Sequence, residues 1–298
     1  MTVRRLRRTL GFACIAALFV TCAQSAWAQD RQLFMLVSNQ SGQPITDISP
    51  GEIVLEQEGS ECTVKDARLD SAPMKVALMV DNSDAAQQSL NSMRDGLSAF
   101  LDELPAEHEV GLFTIAGQVR RRVDFTTDRE ELKEEATGLF VDRNSAVVYM
   151  DGLLETWRRR FDDEDAWPVF VALVYDGAEG SRSTQEEEFN EFAREIVGRG
   201  ATVHAILVST RGGALQTTIS TFLTQNTGGR YWALAAATAL PETFTELAAA
   251  MREQHEAVKD RYRIVFECDP DNPAAGIAAG VQRPGVAVRL FPNRRTDQ

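Results

Sequence analysis

Four uninterrupted apolar runs constrain this chain more than any other feature. They are Val76-Ala77-Leu78-Met79-Val80, Val110-Gly111-Leu112-Phe113-Thr114-Ile115, Val169-Phe170-Val171-Ala172-Leu173-Val174 and Val203-His204-Ala205-Ile206-Leu207-Val208. A strand with one wet face alternates apolar and polar residues. A continuous run needs cover on both faces, as in a mainly parallel sheet between helices. The stretches between the runs have helical spacing. Leu90, Met93, Leu97, Leu101 and Leu104 step by three and four until Pro105, and Phe189, Phe192, Ile196 and Val197 do so before Gly198 and Gly200. Leu215, Ile219, Phe222 and Leu223 form a third period that ends at residues 226–229. Behind Pro241, Phe244, Leu247, Ala248 and Met251 share one face. This alternation predicts a doubly wound, mainly parallel α/β domain over residues 73–258.

The flanks read differently. Residues 29–72 hold short strands separated by turn chemistry, Asn39-Gln40-Ser41-Gly42 and Gln57-Glu58-Gly59. Residues 259–298 hold two strands, 261–268 and 286–291, joined by a Pro/Gly/Ala-rich loop. Neither flank has enough strands for a core of its own. The expectation is that 259–298 pairs with 29–72 in one small β-sandwich.

Residues 1–28 read as an export signal. Arg4, Arg5, Arg7 and Arg8 precede a short apolar stretch, and Ala26-Trp27-Ala28 offers a cleavage pattern before Gln29. The alternative is a retained N-terminal membrane anchor. Phe19-Val20-Thr21 before Cys22 is a poor lipoprotein signal. Removing the segment takes four arginines and no acid, so the net charge moves from −13 to −17 over about 270 residues. The expected location is periplasmic or secreted, with no membrane span after cleavage. So acidic a chain is unsuited to gripping nucleic acid, which is done by neutralising phosphates. Cys14 and Cys22 leave with the signal. Cys62 and Cys268 remain, one in each flank, and an oxidising compartment invites a bridge between them, the alternative being two unpaired small hydrophobes.

Ligands of open α/β sheets sit outside the carboxyl ends of the strands. Two aspartates occupy such ends, Asp81 in Asp81-Asn82-Ser83-Asp84-Ala85 and Asp176 in Tyr175-Asp176-Gly177. With Thr227-Gly228-Gly229-Arg230-Tyr231 further on, their order and spacing resemble the von Willebrand factor type A domain over residues 74–258. The likeness is greatest to a bacterial exported group in which a β-segment precedes the domain and a β-tail follows it. Here Val37-Ser38-Asn39-Gln40-Ser41-Gly42-Gln43-Pro44-Ile45 and Ile53-Val54-Leu55-Glu56-Gln57-Glu58-Gly59 resemble that segment. The resemblance implies a non-catalytic module that binds another protein through loops holding Asn82, Asp84, Asp151 and Gly177, the partner being unnamed by the sequence.

It also implies a metal-ion-dependent adhesion site, built from an Asp-x-Ser-x-Ser loop, a threonine on a second loop and an aspartate on a third. Asp81, Ser83 and Asp176 match. Ala85 replaces the second serine, and the family's Thr-x-x-x-Asp spacing before Asp151 places Val147 where the threonine belongs. Ser145 is the substitute if the loop is shifted, and Asp84 adds a third carboxylate. Mg²⁺ wants about six oxygens in a near-octahedral shell, so a degenerate site and metal-independent recognition are expected. One alternative is a Mg²⁺-dependent adhesion or assembly module on Asp81, Ser83 and Asp176. The plainer reading makes these aspartates loop-forming caps.

Enzyme motifs are missing. The sequence has no G-x-S-x-G, no GxGxxG and no Gly-Lys-Ser/Thr loop. His108-Glu109 and His255-Glu256 begin like HExxH, but Leu112 and Lys259 hold the last position, and His204 reads as a hydrogen-bonded core histidine. A periplasmic small-molecule binder or hydrolase on a similar sheet is the second alternative. Arg120-Arg121-Arg122 reads as a charged edge strand. Arg158-Arg159-Arg160 reads as a helix end beside Asp162-Asp163-Glu164-Asp165, and Glu186-Glu187-Glu188 as the first turn of a helix. Each of these runs is read as solvated surface.

Overall fold

The computed structural model describes residues 31–161, 166–182, 186–208, 215–268 and 276–295. The export signal read over residues 1–28 and the acidic run at 162–165 lie outside the described residues. The chain runs through β1 (Arg31–Ser38), β2 (Ile53–Gln57), β3 (Ser60–Leu69), β4 (Met74–Val80), α1 (Leu90–Glu103), β5 (Glu109–Thr114), β6 (Arg120–Thr126), α2 (Arg129–Thr137) and α3 (Tyr149–Arg160). It continues through β7 (Trp167–Tyr175), α4 (Glu186–Gly198), β8 (Thr202–Val208), α5 (Leu215–Thr227), β9 (Tyr231–Leu234), α6 (Leu240–Val258), β10 (Tyr262–Glu267), β11 (Ile277–Val281) and β12 (Ala287–Phe291).

Among the described residues the strands form two six-stranded sheets. The first has the order β6-β5-β4-β7-β8-β9 and is parallel except for the antiparallel edge strand β6. The four apolar runs are its inner strands, and every residue of β7 and β8 is buried. Period-2 alternation sends Val76, Leu78 and Val80 to a core shared with α1, α2 and α6, while Ala77 and Met79 face a core shared with α3, α4 and α5. Each fully buried Val, Leu or Phe contributes about 1.5–3 kcal/mol, so the two cores hold the unit together. Gly229 fits where a side chain cannot: a Cβ there would stand 1.8 Å from the Val203 carbonyl oxygen.

The second sheet, of order β11-β2-β3-β10-β1-β12, is antiparallel and joins both flanks, as the strand count required. All six strands feed one core, with Leu33, Met35, Leu55, Cys62, Ile264 and Phe266 at its centre, so the sheet coils on itself. Strand β11 lies in the stretch read as a Pro/Gly/Ala-rich loop. Its Ile277, Ala279 and Val281 reach the core, and the small residues around them hid the alternation. A disulfide joins Cys62 to Cys268.

The β unit docks against the amino ends of the parallel strands. Arg294, 1% exposed, holds the buried Asp70 with two hydrogen bonds of 2.7 Å and also donates to the Gly200 carbonyl. Its guanidinium lies 4.6 Å from the rings of both Phe34, on β1, and Trp167, at the start of β7. Trp167 in turn stacks on His255, whose ring meets His108 edge-on. Gly200, at φ +62°, leaves no space for a Cβ beneath Gln32, Phe34 and Arg294.

Candidate functional site

The opposite end of the parallel sheet carries the residues singled out in the sequence. Asp81 extends β4, its N–H donating to the Leu173 carbonyl, and is fully buried. One carboxylate oxygen accepts from Ser83 N–H at 2.9 Å and the other from Tyr175 N–H at 3.1 Å. Burial pushes its pKa above the ordinary value, against the pull of these bonds. Ser83 is buried as well, and its hydroxyl is turned to the same carboxylate.

Three loops converge here, and backbone contacts hold them. Asn82 donates through Nδ2 to the Phe140 carbonyl at 2.9 Å, and its own carbonyl accepts from Asp142 N–H at 2.8 Å. The exposed Asp84 accepts from Asn144 N–H at 2.9 Å, a fit that requires Asn144 at φ +59°. Asp151, in the first turn of α3, accepts from Arg182 N–H at 2.9 Å, while its own N–H donates to the Ser181 hydroxyl. Asp176 stands exposed at the end of β7, and Gly177 meets the Ala85 methyl group so closely that an added Cβ would lie 3.0 Å from it. The Asp81 and Asp176 loops are therefore neighbours, as their motif positions imply.

The remaining ligand positions lie on these loops but offer no free hydroxyl. Val147 is a core residue with no exposure, and its N–H donates to the Ala178 carbonyl. The Ser145 hydroxyl donates to the Asp142 carbonyl. Among the described residues, no three His, Cys, Asp or Glu side chains gather into a group that could hold a metal ion.

Glu179 is the residue that sequence reasoning missed. Its Oε1 accepts from Tyr149 N–H at 3.1 Å and Ser181 N–H at 3.2 Å, capping α3 from 30 residues away, while Oε2 is buried with no hydrogen-bond partner. Burial raises its pKa. It stands three residues beyond Asp176 in no motif, so nothing in the sequence marked it. The histidines sit in the cores or near the far end. Nδ1 of His204 accepts from Arg230 N–H at 3.1 Å, and burial pushes its pKa down to about 3.

This loop arrangement at the carboxyl ends of β4 and β7 coincides with a family match. Residues 76–178 match the model of the von Willebrand factor type A domain. Within the α/β unit, this stretch is similar to a von Willebrand factor type A domain. The match spans about a third of the chain, from β4 to the loop that carries Glu179. In structure the chain is similar to a von Willebrand factor type A protein from Catenulispora acidiphila, with TM-score 0.53 and 11% identity over 89% of this chain and 74% of that one. It is also similar to the conserved hypothetical protein BatB from Bacteroides thetaiotaomicron, with TM-score 0.47 and 14% identity over 60% of this chain and 99% of that one. No curated protein matches the sequence. Domains of the von Willebrand type A family are typically protein-interaction or adhesion modules.

Proposed function

We propose that the chain is an exported, non-catalytic protein-binding module that recognises its partner through the carboxyl-end loops without a metal ion. In this reading residues 1–28 are removed on export and 29–72 pairs with 259–298 around the domain at 73–258. The Cys62–Cys268 disulfide supports an oxidising compartment.

One observation carries the metal-independent reading. The carboxylates of Asp81, Asp84, Asp151 and Glu179 accept hydrogen bonds from loop N–H groups, so the loops hold their shape without a cation. The donor set does not fit a Mg²⁺ ion. Two hydroxyl ligands are replaced by the Ala85 methyl group and the buried Val147, and Ser145 is turned to a carbonyl. Asp81, Ser83 and Asp176 are the remainder of the family's set, short of the roughly six oxygens that Mg²⁺ requires, and both Asp81 oxygens already accept from backbone N–H groups. The same face carries Phe140, 56% exposed, on the loop held by Asn82. An aromatic side chain on a rigid loop suits an anchor in a partner's pocket.

Thermal-shift titration tests this. A cation that binds only the folded state stabilises it by about 2.7 kcal/mol at a hundred times its Kd. The expected result with millimolar Mg²⁺, Mn²⁺ or Ca²⁺ is no shift, and partner capture that persists in EDTA and falls with Phe140→Ala. A Mg²⁺ shift abolished by Asp81→Ala would instead establish the metal-dependent module.

A further inference from the structure

The two arginine triplets, read separately from the sequence as solvated surface, meet in the fold. Strand alternation splits the first. Arg120 pairs with Asp142 and Arg122 with Glu135 on α2, whereas Arg121 pairs with Asp124 and stands opposite Phe113 of β5. The helix splits the second. Arg158 reaches Glu188 on α4, Arg159 pairs with Glu155, and Arg160 reaches back to Asp124 of β6 at 3.6 Å. Arg121, Arg159 and Arg160 thus line one cavity of about 130 Å³ between β6 and α3, floored by Phe113 and Val119, with Glu155 and Thr156 completing the wall.

Two properties of this cavity point to a ligand. Three guanidiniums are set against two carboxylates, Glu155 and Asp124, which leaves a positive excess on a strongly acidic protein. Thr156 is 2% exposed, and its hydroxyl is buried without a hydrogen-bond partner. A helical threonine ordinarily spends its hydroxyl on the carbonyl of the preceding turn, and an unmade buried hydrogen bond is costly. On α3, Thr156 and Arg160 form one i,i+4 column and Glu155 and Arg159 the next, so the helix presents a hydroxyl donor beside two planar guanidinium donors.

We propose that this cavity is a binding site for an oxyanion of the phosphate class, held by Arg121, Arg159 and Arg160 with the Thr156 hydroxyl as a further donor. Guanidinium forks match tetrahedral oxyanions in geometry, and charge-assisted hydrogen bonds are the strong ones. The site lies on the flank of the domain and is independent of the loop face proposed above.

Isothermal titration of the purified protein with inorganic phosphate, and separately with phosphoserine, at constant ionic strength in chloride tests the assignment. Saturable binding at one site is expected. Arg121→Ala/Arg159→Ala should weaken it by roughly tenfold or more, and the isosteric Thr156→Val by about threefold to tenfold, each loss being one or two charge-assisted hydrogen bonds. Arg159 is well exposed and Thr156→Val preserves volume, so circular dichroism should report folded variants. Tighter binding of phosphoserine identifies a phosphomonoester, and tighter binding of phosphate identifies the free ion. Equal affinity in wild type and both variants, or no binding beyond that of chloride, overturns the site.

Discussion

Two aspartates are buried at opposite ends of the parallel sheet, and the groups that hold them differ. Asp81, with no exposure, is held by two backbone N–H groups. Asp70, 3% exposed, is held by a guanidinium that is itself buried between two aromatic rings. An amide cradle fixes the shape of a loop around an acid and brings in no second charge. An ion pair joins two segments distant in sequence, and each partner becomes a liability if the other is lost. The carboxyl end is therefore built to hold loops in place, and the amino end to bind the β unit to the α/β unit.

The sharpest way to break that contrast is at the amino end. Arg294→Ala leaves Asp70 buried without its cation and opens the space between Phe34 and Trp167. Losing one partner of a buried pair costs about 3–5 kcal/mol. Urea denaturation should show a loss of that size, or a separate early transition for the β unit. The double variant Asp70→Leu/Arg294→Met should recover part of the loss because it leaves no charge buried. If Arg294→Ala unfolds like wild type, the ion pair does not hold the two units together.

At the carboxyl end the expected effect is smaller and local, because removing Asp81 also removes the cost of burying its carboxylate. Asp81→Ala strips the acceptors from Ser83 N–H and Tyr175 N–H, and each unmade buried bond costs about 1–3 kcal/mol. Asp81→Asn keeps one acceptor oxygen and should lose half as much or less. The measurement is hydrogen exchange, with faster exchange confined to the loops around residues 81–89 and 140–148 and to the end of β7 at Tyr175. Loosening that spreads to the β unit would erase the distinction between the two ends.

The difference between the ends also explains what the sequence could reveal. Inner strands were legible because continuous hydrophobicity has one structural meaning at that length, and the aspartates because strand ends are fixed by the runs. The start of α3 was not legible. Its N-cap is Val148, with no side-chain cap, and the capping carboxylate comes from Glu179 on the neighbouring loop after β7. Helix α2 was faint because only Leu132 and Ala136 of its nine residues are buried. The Asp70–Arg294 pair spans 224 residues and leaves no local trace. The same holds for the arginine triplets, whose facing members are selected by strand and helix periods that meet only in three dimensions.

The last contrast is in the response to pH, where the two ends have opposite signs. At the amino end, burial and the neighbouring His255 and Arg129 push the pKa of His108 down to about 4, against the pull of Glu107. The unfolded chain takes up this proton near pH 6.5 and the folded one does not until about pH 4. Stability from His108 is thus complete above 6.5 and falls through that window, by about 1.4 kcal/mol per pH unit at most for a single group. At the carboxyl end, burial raises Glu179, so the folded state binds its proton first and gains relative stability as pH falls toward the unfolded value. Thermal melts between pH 7.5 and 4.5 should therefore show His108→Gln flattening the acid decline. Glu179→Gln, which mimics the protonated acid, should steepen it by a smaller amount, since its carboxylate already has N–H partners. If both substitutions move the slope in the same direction, the two ends are not held by different chemistry.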